Sequence, residues 1–294
     1  MRIERLARWA AARRATRSPL VRLAARDVRR PVMVVAFSGW NDAGEAASTA
    51  VSFLSRSLGA DRVGEIEAEE FFDFTVQRPE VLLGPSGERR IAWPATALRL
   101  ARGAAGGRDL LLLSGPEPHL RWRAYCAAIL ELVRTLGVEA VVTLGAHLAE
   151  VTHSRAVPVT TTSSDSRLGR AGVAPARYEG PTGIVGVLGA ELAAAGVPCI
   201  SAWASVPCYG PPVSAKAALA LVRTASELVG CEVDASDLEA EARAYERRMD
   251  ELVARDENLA AYVARIEEMD ELGAGDAFSQ RLAEEIERFL EGRS

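Results

Sequence analysis

The sequence predicts an α/β fold in which helices cover both faces of a mostly parallel sheet. Four short apolar runs carry this prediction, at residues 32–37, 110–114, 141–144 and 199–203. Each run is followed by a loop that contains glycine or proline, and helical patterns follow in turn. Strands that are apolar throughout are buried on both faces, which is typical of a parallel sheet between helices.

The elements follow the chain as repeated strand–loop–helix units. The first strand leads through residues 38–44 into a helix over about 45–58, and the second leads through 115–118 into a helix ending near 136. Glycine and proline at 180–183 open a further helix before the last strand. Residues 63–93 instead predict two or three antiparallel strands, with a turn near 84–87, that extend one end of the sheet.

The C-terminal third is polar and strongly helical from Ser236, where Ser236 and Glu239 fit a capping box. Apolar residues then recur at helical spacing, namely Leu238, Ala242, Tyr245, Met249 and Leu252. We predict either a helical hairpin that turns near 256–258 or one long helix, followed by a last helix over 278–289. The predicted organisation is an Arg-rich extension (1–30), an α/β core (31–232) and a helical appendage (233–294).

Composition argues against several classes of function. The net charge is -5 and aromatic residues make up 6%, so neither a nucleic-acid surface nor a base-stacking platform is expected. Lys216 is the only lysine, and the chain has no P-loop. The four cysteines and three histidines lack metal-site spacing. The sequence therefore predicts no cofactor, no metal and reduced thiols in a cytoplasmic protein.

The N-terminal segment leaves two interpretations open. No apolar run approaches the roughly 18 residues of a membrane span, so no integral membrane segment is expected. Residues 1–18 place Ile3, Leu6 and Ala10 opposite several arginines. This pattern suits a helix on a membrane surface, but it favours a solvated extension.

Polar residues after the buried strands form the candidate ligand site. Parallel strands end at one edge of a sheet, where open α/β folds bind ligands. The helix that begins after Gly183 adds free backbone N–H groups that suit an anion. Lys216, in the first turn of a later helix, could pair with Asp42 or Glu117 or hold an anionic ligand. The candidates are Ser38, Asn41, Asp42, Glu117, Gly145, Thr182, Gly183 and Lys216.

Structural roles compete with ligand binding at these positions. Asn41 and Asp42 are also good N-caps for the helix that follows them. Ser38 lacks the surroundings of a hydrolase nucleophile, and Glu117 has no visible catalytic partner. No catalytic residue is therefore assigned.

Several motifs, in order from about residue 31 to 228, resemble the bacterial, actinobacterial-type branch of the proteasome assembly chaperone family. They are AFSGWNDAG at 36–44, FDFTVQRP at 72–79, IAWP at 91–94, SGPEP at 114–118, YEGPTGIVG at 178–186 and WASVPCY at 203–209. This resemblance implies a three-layer, phosphorylase/hydrolase-like α/β/α fold, homo-oligomers, and a link in some relatives to proteasome assembly.

The chain departs from the pattern of this family at two points. Cys208 stands where relatives commonly have histidine, so a histidine-dependent chemistry cannot operate there. The C-terminus also lacks the hydrophobic-Tyr-any tail of proteasome-docking members, so that docking mode is not expected.

Three functions follow from the sequence. The first is a non-catalytic, homo-oligomeric scaffold that acts through protein partners, with a trimer favoured and an interface separate from the strand-end crevice. The second is a small-molecule hydrolase, phosphorylase or ligase with its site at the strand ends. The third is a peripheral membrane or cell-envelope scaffold. An enclosed pocket at the strand ends would favour the enzyme, and a crevice filled by side chains would favour the scaffold.

Overall fold

A computed structural model describes residues 21–23, 27–163 and 173–271. Its strands are β1 (Val21–Leu23), β2 (Val32–Ser38), β3 (Asp61–Ile66), β4 (Glu80–Leu83), β5 (Arg89–Ala92), β6 (Thr96–Ala105), β7 (Arg108–Pro116), β8 (Ala140–Ala149), β9 (Val159–Ser163), β10 (Ala174–Pro175) and β11 (Cys199–Pro207). Its helices are α1 (Ala46–Ser57), α2 (Trp122–Leu136), α3 (Ile184–Ala194), α4 (Ala215–Val229), α5 (Ser236–Arg255) and α6 (Glu257–Glu271), and a short 3-10 turn, Ala43–Glu45, precedes α1.

The described strands form one mixed sheet in the order β1-β3-β6-β7-β2-β8-β11-β9-β10, and β4 and β5 form a separate hairpin. The four predicted apolar runs are the central strands β7, β2, β8 and β11, and these are parallel to one another. Antiparallel strands β3 and β6 extend one side of this centre, and β9 continues the other. Side chains of β2 are almost fully buried, as expected for a strand between two helical layers.

Helices cover the sheet on both faces, which confirms the predicted three-layer α/β/α class. Helices α1 and α4 bury their apolar sides in one cluster with one face of the sheet. Helices α2 and α3 share the other cluster with the opposite face. Ser214 begins α4 with an N-cap, because its hydroxyl accepts a hydrogen bond from the backbone N–H of Ala217.

The antiparallel insertion differs from the prediction. Only β3 joins the main sheet, whereas β4 and β5 pair with each other alone. The predicted turn near 84–87 is present, since Gly84 N–H donates to Glu88 O and Gly87 N–H donates to Gly84 O. All four residues of β4 and three of the four in β5 are exposed, so the hairpin contributes little to the core of the domain.

The helical hairpin turns where the sequence predicts. Asp256 Oδ1 accepts from the N–H groups of Asn258 and Leu259, which fixes the start of α6. The predicted capping box is wrong in detail, because Ser236 donates to Asp234 and Glu239 pairs with Arg223. The predicted helix over 278–289 lies outside the described residues.

The predicted apolar seam of α5 is buried within one chain except at Leu252, which is 43% exposed. Leu238, Ala242, Tyr245 and Met249 join the cluster of α1 and α4 and are at most 5% exposed. These four residues therefore pack on the subunit's own core. The division into three parts at residues 30 and 232 stays a prediction. In the described part of the chain, no helix is long and apolar enough to cross a membrane.

Candidate functional site

The loop after β2 crosses the carboxyl ends of the central strands and places Asn41 in the middle of the candidate site. Ala146 N–H donates to Asn41 O, and the side-chain Nδ2 of Asn41 donates to Glu117 Oε1 at 2.8 Å. Gly39, at φ +125, lets this loop pass over Glu117, whose Cβ would be 3.3 Å from a Cβ at that position. Asn41 is 1% exposed, so its amide is an interior group.

Glu117 connects three elements at this edge. Its Oε1 also accepts from the N–H of Ile184, the first residue of α3, at 2.8 Å, and its own N–H donates to Ser38 O at 2.8 Å. A carboxylate at a helix N-terminus satisfies a free N–H group and the positive end of the helix dipole. The position that the sequence suggests for an anionic ligand therefore holds the side chain of Glu117.

Gly183 is required where α3 meets Asn41. A Cβ at Gly183 would lie 2.3 Å from Asn41 Nδ2 and 2.4 Å from Asn41 Oδ1, which no real contact tolerates. The absence of a side chain lets the start of α3 close over the Asn41 amide. Thr182, one residue earlier, is exposed at the rim of this contact.

Asp42 serves the helix on the other face of the sheet. Its Oδ1 accepts from Ala47 N–H at 2.7 Å and from Ser48 N–H at 3.2 Å, so it satisfies donors in the first turn of α1. The capping alternative thus describes what Asp42 does in the structure, although Asn41 binds Glu117 instead. Burial raises the pKa of the Asp42 carboxyl above its ordinary value, and the two N–H groups of Ser48 and Ala47 oppose this rise.

Two acceptor atoms at this edge are buried without a partner among the described residues: Asn41 Oδ1 and Asp42 Oδ2. Buried polar atoms are nearly always hydrogen-bonded, because an unpaired one costs free energy. Both atoms without a partner are acceptors, and they lie beside the hydrogen bond that joins Asn41 to Glu117.

Gly145 and Gly115 lie within strands and not in the loops that follow them, because β8 and β7 run further than predicted. A Cβ at Gly145 would lie 2.7 Å from the ring of Trp203, and one at Gly115 would lie 2.7 Å from Ala95 O. Both glycines allow close packing across the sheet. The longer strands could not be read from apolar runs, since their last residues are polar or small.

Lys216 lies apart from the other candidates, on the face covered by α4. Its Nζ contacts Glu246 Oε1 at 2.6 Å and donates to the backbone oxygens of His153 at 2.5 Å and Arg155 at 2.6 Å. The expected pairing with Asp42 or Glu117 is therefore wrong. The lone lysine ties α4, the loop after β8 and α5 together.

Sequence reasoning missed a second polar cluster, around His153. This side chain is 4% exposed, and its Nδ1 is 2.8 Å from the Tyr209 hydroxyl while its Nε2 is 3.2 Å from Asp250 Oδ1. Tyr209 packs edge-on against Tyr262 of α6, and the Tyr262 hydroxyl is 3.2 Å from Cys208 Sγ. The cluster joins α5 and α6 to two loops of the core. A signal was present in the sequence, because His153 and Lys216 are rare residue types in this chain.

The structure therefore divides the eight candidates. Ser38, Asn41, Glu117 and Gly183 meet at one point, and Asp42 lies beside them but faces α1. Gly145 is inside the sheet, Thr182 is at the rim, and Lys216 belongs to the contact with the appendage. The meeting point is a network of interior hydrogen bonds between loops and a helix start.

Comparisons with known proteins agree with this architecture. The model of the PAC2 family matches residues 36–253. The chain is similar to a PAC2 family protein from Streptomyces avermitilis, at 44% identity over 79% of this chain and 99% of that one, with a TM-score of 0.75. No curated protein matches the sequence.

Two further solved structures are informative. A proteasome-assembly chaperone homologue from Mycobacterium tuberculosis is 41% identical over 79% of this chain and 99% of that one, with a TM-score of 0.71. An archaeal proteasome activator from Pyrococcus furiosus covers 79% of this chain and 97% of that one at 18% identity, with a TM-score of 0.63, which shows a shared fold alone. The family expected from the sequence motifs, with its actinobacterial relatives, is confirmed.

Proposed function

Because the chain belongs to the PAC2 family, we propose that it is a non-catalytic, homo-oligomeric scaffold of the assembly-chaperone type that works in the cytoplasm through protein contacts. The relative from Mycobacterium tuberculosis, described as a proteasome-assembly chaperone homologue, supports a chaperone-like role. The observation that carries the proposal is the distribution of exposed apolar side chains.

Eleven of the twelve large apolar side chains that are exposed in the described residues lie in segments at the carboxyl ends of the central strands or in the insertion between β3 and β6. We call this surface the carboxyl face: Trp40, Val76, Val81, Leu82, Leu83, Ile91, Trp93, Leu120, Leu148, Tyr178 and Val213. The insertion between β3 and β6 is included in this face because of where it starts and ends. Its two ends, Ile66 of β3 and Thr96 of β6, pair with each other beside Gly115, near the carboxyl end of β7. Exposed apolar surface gathered on one side of a protein marks an interaction site.

The polar network beneath this face can support such a surface. Hydrogen bonds of 2.8 Å join Asn41, Glu117 and the start of α3. These bonds fix the backbone of the loops that carry Trp40 and Leu120. Trp40 is 66% exposed although its neighbour Asn41 is buried. This contrast between a fixed backbone and an outward apolar side chain is typical of a binding surface on a rigid scaffold.

We propose that the homo-oligomer, with a trimer favoured, uses part of the carboxyl face. This moves the interface to the strand-end side of the molecule, whereas the sequence suggested an interface separate from it. Gel filtration with light scattering should give a mass near three times 31.4 kDa. The double variant Leu83→Glu/Leu148→Glu should shift this mass to one subunit, because a charge in an apolar interface is costly to bury.

The matched control is Leu252→Glu, which changes the exposed leucine of α5 that lies outside the carboxyl face. This variant should keep the mass of the unchanged protein. A mass of 31.4 kDa for the unchanged protein across dilution, or equal masses for all three proteins, contradicts the proposal.

A further inference from the structure

The hairpin of β4 and β5 has two edges that no other described strand covers. It pairs with no strand of the main sheet, and seven of its eight residues are exposed. A two-stranded hairpin alone is marginally stable in water, and it needs a further strand or helix against it. Phe74 packs against Trp93 with ring centroids 4.8 Å apart, which anchors the base of the hairpin. The rest of the hairpin lacks such support.

The register of the hairpin shows which backbone groups point out of it. Gly84 N–H donates to Glu88 O, so these two residues form a hydrogen-bonded pair. Hydrogen-bonded and non-hydrogen-bonded pairs alternate along an antiparallel ladder. Two pairs are therefore of the second kind and turn their N–H and C=O groups outward: Leu83–Arg89 and Val81–Ile91. None of these outward groups is hydrogen-bonded within the described residues.

Three of the same residues form an apolar face of the hairpin. Directly opposed side chains of an antiparallel pair lie on one side, and successive side chains alternate. Val81, Leu83 and Ile91 therefore share a face, and they are 49%, 73% and 47% exposed. A free strand edge beside exposed apolar side chains is a template for pairing with another chain. The hairpin thus lacks both a strand at each edge and cover for its apolar face.

Charge distinguishes the two edges. Strand β4 carries Glu80 and no basic residue, whereas β5 carries Arg89 and Arg90 and no acidic one. The carboxylate next to β5, Glu88, is bound by the Ser86 hydroxyl in the turn. An antiparallel pair of two β5 strands would set arginines against one another, and like charges opposite each other are destabilising. Charge therefore favours pairing of the edge of β4 with the edge of β5 in another subunit.

Symmetry leads to the same choice. Pairing of like edges joins two subunits and leaves the second edge of each hairpin free. Pairing of unlike edges is heterologous, so it repeats around an axis and can close into a ring. In such a ring both edges of every hairpin are paired, and two strands from each of three subunits form one closed sheet. The trimer already proposed is the assembly that this arrangement can build.

We propose that a second copy of this chain occupies the free edge of β4, that its β5 adds there as an antiparallel strand, and that three such junctions join the trimer. The inference rests on the proposed function, since it specifies how part of the carboxyl face joins subunits. The outward backbone groups of Val81 and Leu83 bond with the neighbouring subunit's β5. The surface around Trp40 and Leu120 remains available to a protein partner.

Proline variants of the full chain test the proposal. Val81→Pro blocks the edge of β4 and Ile91→Pro blocks the edge of β5, and each removes an outward N–H that the hairpin itself does not use. Each variant alone should have the mass of one subunit, 31.4 kDa, by gel filtration with light scattering. An equimolar, concentrated mixture should form a dimer of twice this mass, because one β4 edge and one β5 edge remain intact.

Matched controls retain the backbone N–H. Val81→Thr and Ile91→Thr keep a branched side chain and the outward donor, so both should remain trimeric. Urea unfolding followed by circular dichroism checks that the proline variants keep the stability of the core, to which the hairpin contributes little.

Hydrogen exchange supplies a reading that needs no variant. The amides of Val81 and Leu83 should exchange at least about tenfold slower in the trimer than after dilution to single subunits. The amides of β2 are the internal reference, and their rates should not depend on dilution.

Four results overturn the proposal. A dimer of either proline variant alone shows that like edges pair. A trimer that survives both prolines places the interface elsewhere, and a mixture that stays monomeric at every concentration excludes the junction of β4 with β5. Fast exchange of Val81 and Leu83 in the trimer leaves the edge free for a strand of a different protein.

Failure of this inference can be told from failure of the proposed function. An unchanged protein that is trimeric in all of these assays, with proline variants that are trimeric too, contradicts the strand junction alone. An unchanged protein with the mass of one subunit contradicts both.

Discussion

Asn41 and Glu117 are 76 positions apart in sequence, yet their side chains form a 2.8 Å hydrogen bond at the edge of the sheet. One oxygen of Glu117 serves both this amide and the first N–H of α3. The bond therefore links the loops after two neighbouring strands to the helix that covers them. A network of this kind fixes the backbone that presents the carboxyl face.

The first prediction concerns Glu117. Glu117→Ala should lower the free energy of unfolding by about 2–3 kcal/mol, because it leaves the buried Asn41 amide and the Ile184 N–H without their acceptor. Glu117→Gln retains an acceptor oxygen and should lose less than half as much. Urea unfolding followed by circular dichroism measures both. Equal losses in the two variants would show that the charge, and not the shared acceptor, matters.

The second prediction concerns Gly183. Gly183→Ala should destabilise the fold by about 1–3 kcal/mol, because its Cβ would overlap the Asn41 amide and force the start of α3 away. Gly189→Ala is the control in the same helix, where the nearest atom to a new Cβ is 3.9 Å away. This control should instead stabilise the protein by about 1 kcal/mol through helix propensity. Thermal unfolding of both variants reads the contrast.

The third prediction concerns the pH dependence of stability. The pKa of Asp42 in the folded protein is raised by burial above its ordinary value of 3.8. A raised pKa in the folded state means that protonated Asp42 contributes to stability. This contribution is fully present at pH values below the ordinary pKa of Asp42, and it is lost as the pH rises through the pKa of the folded state. The free energy of unfolding should therefore fall from pH 4 upward relative to that of Asp42→Asn.

The measurement for Asp42 is urea unfolding of the two proteins at several pH values from 3 to 8. The difference between them should grow with pH and then level off, since asparagine does not titrate. Asp42→Ala is the companion variant, and it should be about 1 kcal/mol less stable than Asp42→Asn at every pH, because the N–H groups of Ala47 and Ser48 lose their acceptor and neither variant titrates at this site. A difference that shrinks as pH rises is incompatible with this assignment.

The fourth prediction concerns the attachment of the helical hairpin. Lys216→Met removes the cation that contacts Glu246 and two backbone oxygens of the loop after β8. We expect a loss of about 1–2 kcal/mol, because hydrogen bonds from a charged group exceed neutral ones. Limited proteolysis should then cut within α6 or the loop after β8 before the core is attacked.

Arg223→Met is the control for Lys216, because Arg223 belongs to the same helix and pairs with Glu239 of α5 at 2.7 Å. Its side chain is 62% exposed, whereas that of Lys216 is 14% exposed. An exposed pair contributes little, so this variant should remain close to the unchanged protein in both assays. Early cleavage in the control and not in Lys216→Met refutes the assigned role of the lysine.

The sequence predicts the centre of the fold well because burial leaves a strong pattern. Strand β2 is apolar at nearly every position since both of its faces are covered, and the same reasoning identifies β7, β8 and β11. The separate β4–β5 hairpin was harder to place. Its residues predict antiparallel strands with a turn, but no local pattern states whether a hairpin joins a distant sheet.

The candidate site shows the same limit at the level of side chains. The strand-end rule correctly gathers Asn41, Glu117 and Gly183, because it follows from parallel topology alone. It could not show that Glu117 points at the start of α3, which depends on how α3 packs. Lys216 was noticed for its rarity, but its partner Glu246 lies on α5, whose position over α4 is a tertiary fact.

Strand β2 occupies the middle of the sheet, and this position has a consequence for synthesis on the ribosome. Its neighbours β7 and β8 pair with Val32 through Leu110 and Ala140, which leave the ribosome about 80 and about 110 residues later. At the usual rate of about 5–20 residues per second, the apolar strand waits roughly 5–22 s until both partners have been made. Helix α1 is made within that interval and shares the cluster that contains Val32 and Val34. Early docking of α1 on β2 would shield the nascent chain from aggregation while the sheet is incomplete.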